Sequence, residues 1–158
     1  MTKPKIAPGK IGFTVGRTYR APLKTVWEAA TQTKHINKYF CDGAQGNISA
    51  DMKPVSWAWK GYGGTELHLV KVVPLILVEF HWDAGANVGY DIRVRFEFTK
   101  KNGRSVLHVS ESGWKPEHLP MAFSYCQGWT EFVTYLKAYL LYGVDFRKWQ
   151  TKVKKLSF

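Results

Sequence analysis

Five short segments of alternating apolar and polar residues follow one another between residues 55 and 112. Turn signals separate them: a Gly-Tyr-Gly-Gly run at 61–64, Pro74, a glycine-bearing stretch at 83–89, and the pair Asn102-Gly103. A period of two is typical of half-buried strands, and Asn-Gly is a preferred centre for a two-residue hairpin. The pattern therefore predicts an antiparallel meander with strands at 55–59, 65–73, 75–82, 91–99 and 105–112.

One further strand and two short helices are predicted before the meander. Residues 11–20 alternate like the other strands. Pro22 suits the first turn of a helix, because the N–H that proline lacks has no helical partner there. A second short helix is predicted at 33–40, where apolar residues share one side.

A single long helix is predicted after the meander, from Pro116 to Tyr142. Gly143 follows it in the position that usually ends a helix. Apolar residues recur along this segment every three or four positions, which is the spacing of one helix face: Met121, Tyr125, Trp129, Phe132, Leu136 and Leu140. The adjacent Gly128 is expected to let the helix approach the sheet closely.

The turns also predict which residues face each other. With Asn102-Gly103 at the centre of a hairpin, the directly opposed pairs are Phe98 with Leu107, Phe96 with Val109, and Val94 with Glu111. Placing Trp82 opposite Tyr90 gives a second set of pairs, namely Phe80 with Ile92, Val78 with Val94, Glu79 with Arg93, and His81 with Asp91. One face of the sheet thus collects apolar and aromatic residues, and the other collects charges.

An antiparallel sheet with one apolar face needs a cover, and the long helix is the available element. We therefore predict an α+β fold in which a curved antiparallel sheet closes around the C-terminal helix. Aromatic residues make up 15% of the chain, and many of them fall on the inward face. They either fill a solid core or bound an apolar ligand cavity, whose predicted lining is Trp57, Trp59, Leu69, Val78, Phe80, Trp82, Val94, Phe96, Glu111, Met121, Tyr125, Trp129 and Phe132.

Glu111 is the distinctive member of this set, because the hairpin register places its carboxyl group on the apolar face. A buried carboxylate without a partner is costly, and burial raises its pKa. One hypothesis makes Glu111 a polar anchor or an acid inside the cavity. The alternatives are that a bulge near Ser110 turns it outward, or that Arg17 or the Tyr125 hydroxyl satisfies it.

The formal net charge of +11 is concentrated at the two ends of the chain. Residues 1–10 contribute +3 and residues 145–158 contribute +4. We therefore predict one domain at 11–144 between two basic tails, and we do not expect nucleic-acid binding. The tails are interpreted as solvated, with docking of an acidic partner as the alternative. No membrane-spanning run or secretory signal is present, so a cytoplasmic location is expected.

Three stretches of the sequence resemble one known family. They are R-T-Y-R-A-P-L-K-T-V-W-E-A at 17–29, S-E-S-G-W at 110–114, and the segment 128–140, which begins G-W and ends L-K-A-Y-L. Together they resemble the activator of heat-shock protein 90 ATPase homologue family, within the START-like (SRPBCC, birch-pollen-allergen-like) superfamily. The resemblance implies a helix-grip fold with two short helices after the first strand. It also implies similarity to carriers of small hydrophobic molecules, to a few cyclases and hydrolases, and to a chaperone activator of the stress response.

Signals for enzyme chemistry are sparse. His68, His81 and His108 fall on the outer face by register, so a solvated charged face is expected rather than a metal site. Cys41 and Cys126 form no C-x-x-C pair and are interpreted as reduced thiols. No cofactor is expected. The first hypothesis is therefore a binding protein for a small lipid-like or aromatic molecule, and the alternatives are a chaperone-associated interaction domain or a cyclase-like or hydrolytic enzyme using Glu111.

Overall fold

The computed structural model describes residues 9–85 and 88–148, and its elements follow the predicted order. They are β1 (Ile11–Tyr19), α1 (Leu23–Thr31), α2 (Thr33–Tyr39), β2 (Val55–Trp59), β3 (Gly63–Val73), β4 (Leu77–Asp83), β5 (Asp91–Lys101), β6 (Arg104–Trp114) and α3 (Leu119–Tyr142), with a 3-10 turn at Pro116–His118 before α3. The strands form one antiparallel sheet in the order β1-β6-β5-β4-β3-β2. The predicted α+β fold is confirmed.

The ends of the helices follow from local chemistry. Helix α1 begins directly after Pro22, whose carbonyl accepts the Val26 N–H at 3.1 Å. Helix α3 ends at Gly143, which has a φ of +63° and donates its N–H to the Tyr139 carbonyl at 2.9 Å. A left-handed residue after the last turn is a common helix terminator, and glycine adopts it without steric cost. Among the described residues, no helix combines the length and hydropathy needed to cross a membrane.

The Asn102-Gly103 hairpin has the predicted register. Both turn residues have positive φ, at 51° and 72°, as a two-residue turn of this kind requires. The pairs across β5 and β6 include Phe98 with Leu107, Phe96 with Val109, and Val94 with Glu111. The inward face of the hairpin is therefore the one predicted.

The predicted register between β4 and β5 is wrong by two residues. Trp82 pairs with Ile92 instead of Tyr90, because Asp83 and Asp91 extend the ladder by one more pair. The Ala84 N–H then donates to the Tyr90 carbonyl and closes the loop. A register shift of two residues leaves every side chain on the face of the sheet that was predicted for it.

The new pairs change the partners on both faces. Inward, Phe80 lies opposite Val94 and Val78 opposite Phe96. Outward, Glu79 faces Arg95, and His81 faces Arg93 rather than Asp91. Glu79 still contacts Arg93 diagonally, with 3.4 Å between Oε1 and Nε.

Strand β4 also begins two residues later than predicted. Residues 74–76 form the turn: Leu75 has a φ of +65°, and the Ile76 N–H donates to the Val73 carbonyl. Leu75 and Ile76 therefore belong to the turn and not to the strand, and β4 starts at Leu77.

The described part of the predicted C-terminal tail is attached to the domain. Arg147 forms ion pairs with Asp145 at 2.9 Å and with Asp42 at 3.2 Å. Residues 1–8 and 149–158, which carry most of the predicted tail charge, lie outside the described residues.

A buried tyrosine connects the first strand to the long helix. Tyr19, at the end of β1, is fully buried, and its hydroxyl donates to the Val133 carbonyl of α3 at 2.8 Å. This hydrogen bond holds one edge of the sheet against the cover helix.

We expect Tyr19→Phe to lower the free energy of unfolding by about 1 kcal/mol, the usual net contribution of one buried hydrogen bond. Urea unfolding followed by circular dichroism measures the change. Tyr62→Phe is the control, because Tyr62 is 91% exposed and removing its hydroxyl should leave the free energy of unfolding almost unchanged. Equal stabilities for the two variants would show that the Tyr19 hydroxyl contributes nothing.

Candidate functional site

The centre of the interface between sheet and helix is a packed aromatic core. Phe96 lies 5.5 Å from Phe132 and 5.8 Å from Phe80 between ring centroids, and Trp57 lies 6.0 Å from Phe132. Six of the predicted cavity residues are completely buried here: Trp57, Val78, Phe80, Val94, Phe96 and Phe132. These six belong to the core and are not in the wall of the cleft described next.

A cleft of about 550 Å³ lies beside this core and opens to solvent. It runs between one face of α3, the β2–β3 hairpin and the end of β4. Its walls are Ser124, Tyr125, Gly128, Trp129 and Glu131 from α3; Trp59, Tyr62, Gly63, Gly64 and Thr65 from the hairpin; Trp82, Asp83 and Gly85 from β4 and the loop after it; and Phe40.

Four of the predicted cavity residues line this cleft: Trp59, Trp82, Tyr125 and Trp129. Leu69 and Met121 are half-buried and pack against the core instead. The cleft thus lies at the margin of the core, and Trp82 and Trp129 belong to both. Sequence reasoning did not assign the remaining wall residues to a site.

The floor of the cleft is aromatic. Trp82 and Trp129 stack with centroids 5.1 Å apart and planes 27° apart. Tyr125 meets Trp82 edge-on at 6.1 Å, and Phe40 meets Trp59 edge-on at 5.5 Å. The contacts between these rings hold them in place before any ligand arrives.

Gly128 is the residue that leaves the cleft open on the helix side. A Cβ added at this position would meet no atom within 4 Å. The prediction that Gly128 allows a close approach of the helix to the sheet is therefore wrong, because it faces empty space. In the sequence, this part of the wall is marked only by a glycine in a helix interior, which does not by itself predict a cleft.

Gly85, in contrast to Gly128, lies at a point of close contact. Its φ is +79°, and an added Cβ would lie 2.5 Å from the Tyr125 hydroxyl. Glycine therefore lets the Tyr125 hydroxyl approach the backbone of the loop after β4. Asp83 helps to shape this loop, since its Oδ1 accepts the Gly85 N–H at 2.8 Å.

The charged groups of the cleft wall are both acidic. Asp83 and Glu131 line it, and no lysine or arginine in the described part of the chain does. Neither carboxylate forms an ion pair within residues 9–85 and 88–148. The cleft is therefore an acidic, aromatic region on a strongly basic chain.

Glu111 lies behind the cleft floor, with a side chain that is 1% exposed. Its Oε2 accepts the Trp129 Nε1–H at 2.7 Å, and its Oε1 accepts the Trp114 Nε1–H at 2.8 Å. No hydrogen bond or ion pair within residues 9–85 and 88–148 joins Arg17 to Glu111, and the Arg17 Nη1 donates to the Gly16 carbonyl instead. The carboxyl group is thus held by indole N–H groups and not by a cation.

Burial raises the pKa of Glu111 from its usual range to about 7. The hydrogen bonds from Trp129 and Trp114 oppose this rise, because they favour the charged form. Trp82 acts in the same direction, although its Nε1–H reaches no partner with normal hydrogen-bond geometry. Glu111 therefore titrates near neutral pH beside the Nε1–H edge of the Trp129 ring.

A β-bulge explains how Trp114 reaches Glu111. Strict alternation would place residues three apart on opposite faces of a strand. Gly113 has a φ of +104°, and the pairing with β1 skips it, so that Ser112 faces Gly12 and Trp114 faces Ile11. The extra residue turns the Trp114 side chain inward.

The described residues hold no cluster of three or more metal-ligating side chains. His68 and His81 face each other across β3 and β4 on the outer face. His81 is nevertheless 3% exposed and not solvated as predicted, because neighbouring side chains cover it. Cys41 and Cys126 are free thiols.

Comparisons with known proteins agree on the fold. The family described as Activator of Hsp90 ATPase homolog 1-like protein matches residues 20–141. Protein MLL2253 from Mesorhizobium loti superposes with a TM-score of 0.73 at 19% identity, covering 82% of this chain and 96% of that one. The solution structure of the Aha1 dimer from Colwellia psychrerythraea superposes with a TM-score of 0.69 at 16% identity, covering 84% and 98%.

DynU16, from the dynemicin biosynthetic locus, is similar at 22% identity with a TM-score of 0.72. The match covers 85% of this chain but only 48% of DynU16, so the chain spans about half the length of that protein. At these identities the likeness concerns the fold. None of the curated proteins matches the sequence.

Proposed function

The chain belongs to the Activator of Hsp90 ATPase homolog 1-like family, and from that premise we propose that it binds a small aromatic molecule in the cleft beside α3. The observation that carries the proposal is the cleft itself, with Trp59, Trp82 and Trp129 in its wall. Its volume of about 550 Å³ lies within the range of ~300–1,000 Å³ that is usual for small-molecule sites.

The packing of the floor favours a flat ligand. Flat aromatic guests can stack on or meet edge-on the exposed parts of rings that are already fixed. A site whose rings are held by contacts with one another loses little side-chain entropy when it binds. Polar groups at the margin, including Ser124 and Thr65, would orient the guest.

The enzymatic alternative is less well supported by the geometry. Glu111 is 1% exposed and hydrogen-bonded to two indoles, so a substrate in the cleft would meet the Trp129 ring before the carboxyl group. The chaperone-associated alternative rests on the family name alone. Most of the basic segment invoked for it lies outside the described residues.

The test of the proposal is titration with 2-naphthalenemethanol, an uncharged flat probe. We expect a Kd on the order of 100 µM, as is usual for a ligand of this size, measured by calorimetry. In nuclear magnetic resonance spectra, the indole N–H signals of Trp82 and Trp129 should shift. Trp27 is the internal control, because it packs on Phe98 and is not part of the cleft wall. No heat of binding, or shifts confined to Trp27, would contradict the proposal.

A further inference from the structure

We propose that the cleft selects organic cations, in the form of a protonated amine or a quaternary ammonium group carried on an aromatic ring. This inference rests on the proposed function, because it names the ligand chemistry of the same cleft. It follows from two independent features of the wall, which are the sign of its charges and the arrangement of its rings.

The first feature is the local reversal of charge. The chain carries 23 lysines and arginines against 12 aspartates and glutamates, so a surface cleft would be expected to contain basic residues. The charged residues of this cleft are instead Asp83 and Glu131, and no lysine or arginine of the described residues neutralises them in an ion pair. A cleft lined by one sign of charge with apolar walls concentrates ligands of the opposite sign.

The second feature is the set of aromatic residues in the same wall. Trp59 and Tyr125 are half-buried and provide most of the ring surface of the wall, whereas Trp82 and Trp129 also line the cleft but are only 7% and 2% exposed. A cation is attracted to the face of an aromatic ring, most strongly to that of tryptophan, and several rings around one space form the cage that quaternary ammonium ligands occupy.

Glu111 strengthens this attraction from behind. Its carboxyl group accepts the Nε1–H of Trp129 at 2.7 Å, so a partial or full negative charge lies at the edge of a ring whose neighbour Trp82 stacks on it at 5.1 Å. Hydrogen bonds to a charged group polarise the donor. The Trp129 ring therefore becomes a better acceptor for a cation in the cleft, whereas an anionic ligand would be repelled by Asp83 and Glu131 and by Glu111 to the extent that it is ionised.

The test compares three probes with the same ring and different charge: 2-naphthalenemethanamine, 2-naphthalenemethanol and 2-naphthoate. At neutral pH and low salt, we expect the amine to bind about tenfold more tightly than the alcohol, and the naphthoate to bind more weakly than either. The advantage of the amine should shrink in high salt, because exposed charge interactions are screened.

Matched variants identify the source of the selectivity. Glu131→Gln and Asp83→Asn should each reduce the ratio of amine affinity to alcohol affinity two- to fivefold. Glu66→Gln removes the same charge from an exposed residue of β3 that is not part of the cleft wall, and it should leave both affinities as they are.

The outcomes separate this inference from the proposed function. Equal binding of amine and alcohol would overturn the cation selectivity and leave an aromatic site in place. A preference for the amine that persists in Glu131→Gln and Asp83→Asn would also overturn it, because the carboxylates would then not be its cause. Failure of all three probes to bind would overturn both proposals.

Discussion

Gly128→Leu is expected to abolish binding of 2-naphthalenemethanol while leaving the protein folded and slightly more stable. The leucine side chain would occupy the space in front of Gly128, where an added Cβ meets no atom within 4 Å. Glycine in a helix interior costs about 1 kcal/mol relative to alanine, and leucine is nearly as favourable as alanine. The free energy of unfolding should therefore rise by roughly 0.5–1 kcal/mol, and the affinity should fall below the limit of calorimetry.

Gly128→Ala is the matched control. It provides the same gain in helix propensity but adds only a methyl group to the cleft wall, so binding should fall by no more than about threefold. Urea unfolding and calorimetry on the two variants separate filling of the cleft from stabilisation of the helix. Unchanged affinity in Gly128→Leu would place the ligand elsewhere on the molecule.

The meander and the face that bears Glu111 could be predicted because each depends on short-range geometry. Asn102 and Gly103 adopt the positive φ angles of a tight hairpin, and the two-residue period of a strand then determines every later pair in β5 and β6. The loop at 84–90 offers no such constraint. The register of β4 and β5 across this loop was therefore predicted two residues away from the observed one. The face on which each side chain lies was still predicted correctly, because a shift of two residues preserves it.

The cleft could not be predicted because a void depends on how three elements meet. The same aromatic residues are compatible with a packed core or an open cavity. Phe96 lies wholly in the core, whereas Trp82 belongs to the core and also lines the cleft. The partners of Glu111 were missed for a more local reason. Strict alternation along β6 would place Trp114 on the face opposite to that of Glu111, and the bulge at Gly113 breaks this alternation.

Glu111 should make the protein less stable as the pH rises from about 4.5 to about 7. Its pKa is about 7 in the folded protein and has an ordinary value near 4.5 when the chain is unfolded. Below pH 4.5 both states hold the proton, and the contribution is constant. Between the two pKa values only the folded state holds it, so the free energy of unfolding falls with pH. Above pH 7 both states have lost the proton, and the loss of about 3 kcal/mol is complete.

Glu111→Gln removes this dependence, because glutamine is neutral at every pH and close to the same shape. Its amide oxygen can replace only one of the two carboxyl oxygens, and its NH2 group would face the other indole N–H without accepting from it. The variant is therefore expected to lose roughly 1–2 kcal/mol at low pH. The difference in unfolding free energy between wild type and variant should then change by about 3 kcal/mol between pH 4.5 and 8 in favour of the variant. Urea unfolding at four or five pH values measures it, with Glu117→Gln, an exposed substitution before α3, as the control.

Parallel pH profiles for wild type and Glu111→Gln would mean that Glu111 does not titrate in this range. If the profiles diverge as expected, the same ionisation must also be felt in the cleft, because the carboxyl group is hydrogen-bonded to Trp129 and Trp129 lines the cleft wall. By linkage, a cationic ligand that binds the charged form more tightly lowers the pKa of Glu111 and recovers part of the lost stability. Binding of 2-naphthalenemethanamine should therefore strengthen between pH 6 and 8, whereas binding of 2-naphthalenemethanol should not.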